Sequence, residues 1–365
     1  MVSRPPQWGE PAPFITAATD GVANYSIQVT AGRWMVLMAF GSLSNPVCAA
    51  AHALVIQRRH LFDDTNCLFF GVTVDIDDRN VRNLYNDTPG LRYLWDLDLK
   101  ASQILGVIDN QFMNPMVFLI DRSYRIFATG GVEQTGEILG LLEQELAREK
   151  QGHAEVFAPV LLAPRIFEPE FCQTLIDYFK AREPEESGFA IDMDGRTVMQ
   201  VAAHLKRRED VTIEDEALID GVAERMTRRL LPMVERAFGW RATEIERFLI
   251  CRYSDHNQGF FTAHRDNVTA GTAHRRFAVS INLNEPEFEG GEVRFPEFGP
   301  RAYRPPTGGA AVFACGLLHD VTPVTRGVRY TLVPFLYDDE GVAIRTANAG
   351  LVEGEDLAGR RVQWG

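Results

Sequence analysis

The sequence predicts two domains of different class: an α/β sandwich over residues 1–150 and an α+β jelly-roll barrel over residues 151–365. Three observations lead there. Apolar strand-like runs alternate with helical segments through the first part. Short strands punctuated by Gly and Pro follow Trp240. Between them, at Gln151-Gly152-His153, a polar connection marks a change of composition.

In the first part, Trp34-Met35-Val36-Leu37-Met38-Ala39-Phe40 is continuously apolar, as a strand buried on both faces must be. A helix over Ala49 to Leu61 follows, then a second buried strand over Cys67 to Val74. Met116 to Ile120 and Ile126 to Thr129 read as two further strands around an Asp121-Arg122-Ser123-Tyr124 turn. Gln134 to Lys150 closes the unit as a charged amphipathic helix.

In the second part, Pro169 to Arg182 is predicted to be a helix with acidic residues at its start. Ile213 to Phe238 is one long helix or a pair broken at Pro232. Strands are expected at Phe248–Tyr253, Phe277–Leu283, Glu292–Phe295, Ala310–Ala314 and Tyr330–Tyr337.

Bulk properties narrow the function. The net charge of −13 argues against a nucleic-acid partner, because phosphate backbones are held by basic surfaces. No apolar run reaches the ~18 residues of a membrane span, and Met1 to Phe14 carries no apolar signal core. A cytoplasmic protein without a membrane partner is expected. The five cysteines (Cys48, Cys67, Cys172, Cys251, Cys315) contain no CxxC pair, which suits reduced thiols.

The informative chemistry lies between Tyr253 and Thr331. His264-Arg265-Asp266 places an imidazole and a carboxylate two residues apart, on one side of extended chain. His319 follows downstream, in Gly316-Leu317-Leu318-His319-Asp320. Two histidines and one carboxylate on one face of a metal leave positions open for oxygen and a co-substrate, an arrangement suited to Fe(II). Arg329, on a later strand, offers a carboxylate two parallel donors. On the strand after His274, alternation puts Ala278, Ser280 and Asn282 on one face. That small polar face suits a pocket lining as well as a barrel core. His256 and His274 lack a carboxylate two residues away and read as loop residues. The basic run His204-Leu205-Lys206-Arg207-Arg208 reads as a solvated face, with substrate binding as the alternative.

In order and spacing, these residues resemble the prolyl-4-hydroxylase-like branch of the 2-oxoglutarate/Fe(II) oxygenases. Tyr253 with Gly259-Phe260-Phe261, Asn282-Leu283-Asn284, Gly290-Gly291-Glu292 and Phe295-Pro296 extend the likeness over roughly residues 160–337. The resemblance implies a double-stranded β-helix, with Fe(II), 2-oxoglutarate and O2 as cofactor and co-substrates. By it His264, Asp266 and His319 are metal ligands and catalytic, while Arg329, Tyr253 and Thr331 bind the co-substrate. It implies a dioxygenase that hydroxylates an unactivated C–H bond of a peptide residue or small metabolite, releasing succinate and CO2.

The first part, over residues 25–146, resembles the peroxiredoxin branch of the thioredoxin fold. The likeness rests on Phe40-Gly41-Ser42-Leu43-Ser44-Asn45-Pro46-Val47-Cys48, on Trp95-Asp96-Leu97-Asp98 and on Phe118-Leu119-Ile120-Asp121. A helix N-terminus would favour the Cys48 thiolate that peroxide reduction needs. Against that, Asn45 and Gly41 stand where active members carry Thr or Ser and Pro, and Asn114-Pro115-Met116 replaces an Arg. The alternative function is therefore a primary or second activity as a thiol peroxidase through Cys48. The leading one leaves this domain as a scaffold, a homodimer interface or a substrate-handling module.

Overall fold

In the computed structural model of the chain, residues 4–81, 84, 89–109, 112–149, 157–352 and 361–363 are described. The chain forms two compact units, Met1–Phe157 with Pro296–Gly299, and Ala158–Phe295 with Pro300–Gly365. The connection expected at Gln151-Gly152-His153 lies outside the described residues. Among the described residues, no helix is long and apolar enough to cross a membrane.

The first unit is built on a five-stranded sheet. Its strands are β1 (Trp34–Gly41), β2 (Cys67–Thr73), β3 (Leu91–Trp95), β4 (Met116–Ile120) and β5 (Ile126–Gly131), in the order β3-β2-β1-β4-β5. The first three are mutually parallel, and β4 and β5 run antiparallel to their neighbours. Every side chain of β1 and β2 is buried, which explains their unbroken apolarity. Helices α1 (Pro46–Gln57) and α2 (Thr135–Glu149) cover one face through Cys48, Ala51, Val55, Ile138, Leu139 and Leu142. Helix α1 starts three residues before the predicted Ala49. Asn45 caps it by accepting from the Val47 N–H at 3.0 Å, and Pro46 occupies the first turn, where its missing N–H costs nothing.

In the second unit, helices α3 (Pro169–Lys180), α4 (Glu216–Arg225) and α5 (Leu231–Phe238) precede most of the strands. The predicted Ile213 to Phe238 segment is continuously helical from Glu216 to Phe238. It is capped by Asp215, whose carboxylate accepts from the Leu218 N–H, and widened into a π turn at Met226–Leu230 just before Pro232.

A larger, eleven-stranded antiparallel sheet is built around six strands. They are β7 (Glu209–Thr212), β8 (Glu244–Glu246), β9 (Leu249–Ser254), β11 (Phe277–Asn282), β16 (Val324–Leu332) and β17 (Phe335–Tyr337), in the order β7-β9-β16-β11-β17-β8. Strand β14 (Ala310–Ala314) also pairs with β11. A smaller antiparallel sheet runs β6 (Lys206–Arg207), β10 (Phe260–His264), β15 (His319–Val321), β12 (Val293–Arg294), β13 (Ala302–Tyr303). The single strand expected at Tyr330–Tyr337 is two, because Pro334 has no N–H to donate and separates β16 from β17. Strands β3, β6, β7, β10 and β15 are short or mixed in polarity and gave no clear apolar pattern in the sequence.

Alternation gives the larger sheet two faces. Ile250, Val279, Ile281, Tyr330 and Leu332 pack with helix residues such as Leu175, Phe179 and Val222. On the opposite face Cys251 and Tyr253 pack against Phe261 and Val321 of the smaller sheet. The two sheets therefore face one another, and the interior between them carries the polar side chains.

One buried carboxylate has both of its oxygens engaged. Glu246 is 2% exposed and accepts from Arg275 Nε at 2.8 Å, Arg345 Nη1 at 2.6 Å and His274 Nε2 at 3.0 Å. His274 lies in a turn, as expected of a loop residue, and is buried at 1% exposure beside this carboxylate. Burial disfavours the Glu246 carboxylate, but Arg275, then His274 and Arg345, outweigh it and hold the carboxyl at about 2, against an ordinary 4.5. A depressed carboxylate stabilises the fold above its unfolded pKa, and that stabilisation is lost as pH falls through the folded value. Glu246→Gln should therefore cost about 3–5 kcal/mol at neutral pH by leaving buried cations unpaired. The gap between wild type and variant should close between pH 4.5 and about 2, as urea denaturation at several pH values would show. A constant gap across that window would assign the stabilisation to packing.

Candidate metal centre

The antiparallel pairing of β10 and β15 sets His264 directly opposite His319. Asp266 follows at the end of β10, its backbone N–H donating to Cys315 O at 3.0 Å. One ligand atom from each of His264, Asp266 and His319 lies within 4.8 Å of the others. The two Nε2 atoms approach the same carboxylate, His264 at 3.6 Å from Oδ1 and His319 at 3.3 Å from Oδ2.

The other ring nitrogens are committed. His264 Nδ1 lies 2.8 Å from Thr262 O, and His319 Nδ1 lies 3.0 Å from Leu317 O. A carbonyl can only accept, so both Nδ1 atoms carry the proton and both Nε2 lone pairs point at the shared centre. That is the tautomer a metal ligand requires. Burial, then the neighbouring His264, push His319 down to about 4, so it is neutral at ordinary pH. Burial opposes ionisation of Asp266, yet His319 and His264 outweigh it and hold that carboxyl well below the usual range. Two imidazoles and one carboxylate fit a divalent metal of the N/O-preferring kind. Phe261 stacks on His264 with ring centroids 3.5 Å apart, and Phe313 lies 4.6 Å from His319. Arg294 grips Asp320, the residue after His319, through two contacts of 2.9 Å.

Arg329 is 2% exposed on β16. Its Nε donates to Asn282 Oδ1 at 3.0 Å and its Nη2 to Ser280 Oγ at 2.9 Å. These are two members of the small polar face noted in the sequence. Among the described residues it has no carboxylate in contact, so a buried guanidinium is left with unused donors and no counter-charge. Gly291, at φ +65°, lets the chain pass close by; a Cβ there would stand 3.0 Å from Arg329 Cδ. Tyr253 is directly across from Arg329 in the sheet, its ring centroid 5.4 Å from the guanidinium carbon. Thr331 is placed differently. Its hydroxyl donates to Ile281 O at 2.9 Å, so its proton is spent on the backbone and cannot also go to a carboxylate.

Cys48 lies in the other unit, at the start of α1, and is fully buried. The helix N-terminus does not win: burial, then Glu133 and Asp78, push the thiol up. Asp78 is itself buried and accepts from the Leu43 N–H and the Thr73 hydroxyl. One helical turn after Cys48, His52 is held by burial at about 4 and supplies no positive charge. The setting favours thiol over thiolate.

With this geometry in view, the comparisons with known proteins fall into place. Residues 248–337 match the 2OG-Fe(II) oxygenase superfamily, and residues 8–128 match the AhpC/TSA family. The chain thus joins an N-terminal AhpC/TSA domain of thioredoxin-like fold to a C-terminal 2OG-Fe(II) oxygenase domain. That superfamily implies Fe(II), 2-oxoglutarate and O2 as the cofactor set. Over 142 residues the chain is 29% identical to the PKHD-type hydroxylase Mmar10_1675 of Maricaulis maris (strain MCS10), covering 38% of this chain and 63% of that protein. It is 32% identical over 82 residues to a PKHD-type hydroxylase of Synechococcus sp. (strain JA-2-3B'a(2-13)), covering 21% and 37%. The chain thus spans less than two thirds of these curated relatives. Among solved structures, it is similar to the viral collagen prolyl hydroxylase of Paramecium Bursaria Chlorella virus-1 at 16% identity and TM-score 0.36, covering 49% of this chain and 96% of that one. A Pseudomonas putida prolyl-4-hydroxylase is similar at 15% identity and TM-score 0.36, covering 53% and 98%.

The Cys48 environment generates one prediction. Because all five cysteines are buried free thiols, none should react quickly with a thiol reagent until the protein is unfolded. Peroxide consumption followed by stopped flow should be slow. Fast turnover that disappears in Cys48→Ser would overturn the scaffold reading of this domain.

Proposed function

We propose that the C-terminal domain is a hydroxylase in which His264, Asp266 and His319 hold Fe(II) and Arg329 anchors 2-oxoglutarate. The facing sheets are read as a double-stranded β-helix with the site between them. The observation that carries the proposal is the pair of backbone-tied imidazoles aimed with one ionised carboxylate at a single point. Iron with 2-oxoglutarate and oxygen supplies oxidative decarboxylation to succinate and CO2, coupled to conversion of a substrate C–H to an alcohol.

The protein's own work is orientation. The Thr262 and Leu317 carbonyls hold the two rings, and Asp266 completes one face. Asn282 and Ser280 hold the Arg329 fork so that its remaining N–H groups meet the distal carboxylate of the co-substrate. Tyr253 borders the same end. Phe261 and Phe313 keep water from the rings. Hydroxylation is the reaction that the names of the relatives carry, and we take the substrate to be a peptide residue or a small metabolite. We assign the AhpC/TSA domain a structural role and no peroxidase activity.

Two variants test the reading. His319→Ala removes one of three protein ligands, so iron content and succinate formation should fall together; full iron content in that variant would refute the ligand assignment. In Arg329→Ala iron should still bind while the KM for 2-oxoglutarate rises by tens- to thousands-fold, equivalent to about 2–5 kcal/mol. An unchanged KM would move the anchor elsewhere.

A further inference from the structure

Two buried cations stand outside the machinery described so far. The basic run around Lys206 reads in the sequence as a solvated face, but Lys206 is 2% exposed and Arg208 is 6% exposed. Pairing puts Lys206 opposite Phe261 on the smaller sheet and Asp210 opposite Cys251 on the larger one. The segment therefore bridges the edge where the two sheets meet. Lys206 Nζ is 4.5 Å from the centroid of the Phe261 ring, the ring that stacks on His264. The guanidinium carbon of Arg208 is 5.9 Å from the centroid of Tyr253, the ring that Arg329 also approaches. Both cations thus adjoin side chains that border the candidate metal centre and the co-substrate anchor.

Their partners do not balance them. Asp210 is the one carboxylate in contact among the described residues. Its Oδ2 accepts from Arg208 Nη2 at 2.6 Å and from the Ser187 hydroxyl. Lys206 Nζ, with three donors, has one bond, to Gly188 O at 2.6 Å. Arg208 Nε and Asp210 Oδ1 are buried with no partner at all. Arg247 adds further positive charge nearby; burial, then Arg208, push the Lys206 ammonium down. An ion taken out of water without a counter-charge costs several kcal/mol, a cost that an anion bound beside it would offset. Glu246, by contrast, has both carboxylate oxygens engaged by Arg275, Arg345 and His274, whereas Lys206 and Arg208 have one carboxylate between them.

We propose that Lys206 and Arg208 form a subsite for an oxyanion, a carboxylate or a phosphate, carried by the primary substrate and separate from the Arg329 anchor. A guanidinium edge with an open N–H and an ammonium with two open donors match such a group. The substrate class narrows accordingly to acidic molecules. This assignment rests on the proposed oxygenase function for the identity of the bound molecule as substrate.

The test is a binding measurement on the full-length protein. Arg329 is first engaged by saturating the protein with Mn(II) and 2-oxoglutarate without oxygen. Inorganic phosphate and acetate are then titrated separately by calorimetry. Wild type should bind one equivalent of at least one anion, with phosphate alone assigning a phosphorylated substrate and acetate alone a carboxylate. Lys206→Met keeps the stem and removes the charge. It should weaken that binding at least about tenfold, leave 2-oxoglutarate affinity within about twofold, and raise Tm because an uncompensated buried charge is gone. Lys206→Arg should retain anion binding, which guards against a folding defect. Absence of any second anion on a complex that has taken up 2-oxoglutarate overturns this inference alone. Failure to take up Mn(II) and 2-oxoglutarate overturns the oxygenase reading instead. A fall in Tm with unchanged anion binding in Lys206→Met would make Lys206 a structural cation and sink the proposal.

Discussion

Burying charge between two sheets is the constraint on which the C-terminal domain depends. An ion in that interior needs a counter-charge or a full set of hydrogen bonds, and the domain meets the requirement in different ways at different places. Glu246 is met completely by Arg275, Arg345 and His274, which ties β8 to the segment before β11 and to a C-terminal helix. Asp266 faces two histidines whose other nitrogens are fixed to the backbone, an arrangement suited to a cation among the three. Arg329 is met only by neutral oxygens, from Asn282 and Ser280. Completeness of the shell therefore separates charges that hold the fold from charges that await a ligand.

The same reasoning explains the asymmetry between the two domains. The N-terminal sheet is buried on both faces and buries Cys48 with it, but the polar groups around that cysteine are acidic or neutral. Asp78, held by the Leu43 N–H and the Thr73 hydroxyl, sits where positive charge would be needed to favour a thiolate. The result is a well-packed α/β unit in which Cys48 is part of the core.

Strand pairing supplies the precision of the candidate metal centre. His264 and His319 are far apart in sequence, yet they are direct partners across β10 and β15, and each is held by the carbonyl two residues before it. A local backbone contact thus fixes the tautomer, and a long-range contact fixes the distance. Neither would suffice alone, because a correctly protonated ring in the wrong register cannot share a metal.

By itself the sequence determined the division into an α/β and a mainly β part, since unbroken apolar runs and turn-punctuated short strands report burial directly. It also singled out His264, Asp266, His319 and Arg329 as candidates, because residue types able to ligate iron or grip a carboxylate are few and occur here in a recognisable order. The face carrying Ser280 and Asn282 was legible from alternation alone. Tertiary structure decided the rest. That Thr331 spends its proton on Ile281 depends on a neighbouring strand's carbonyl. That His274 is buried depends on Glu246, nearly thirty positions earlier. That Lys206 and Arg208 are inside depends on two sheet edges meeting around them. Charge and spacing are written locally, whereas the solvation of a charge is a property of everything packed around it. A run of basic residues therefore reads as surface until the fold shows which of them water cannot reach.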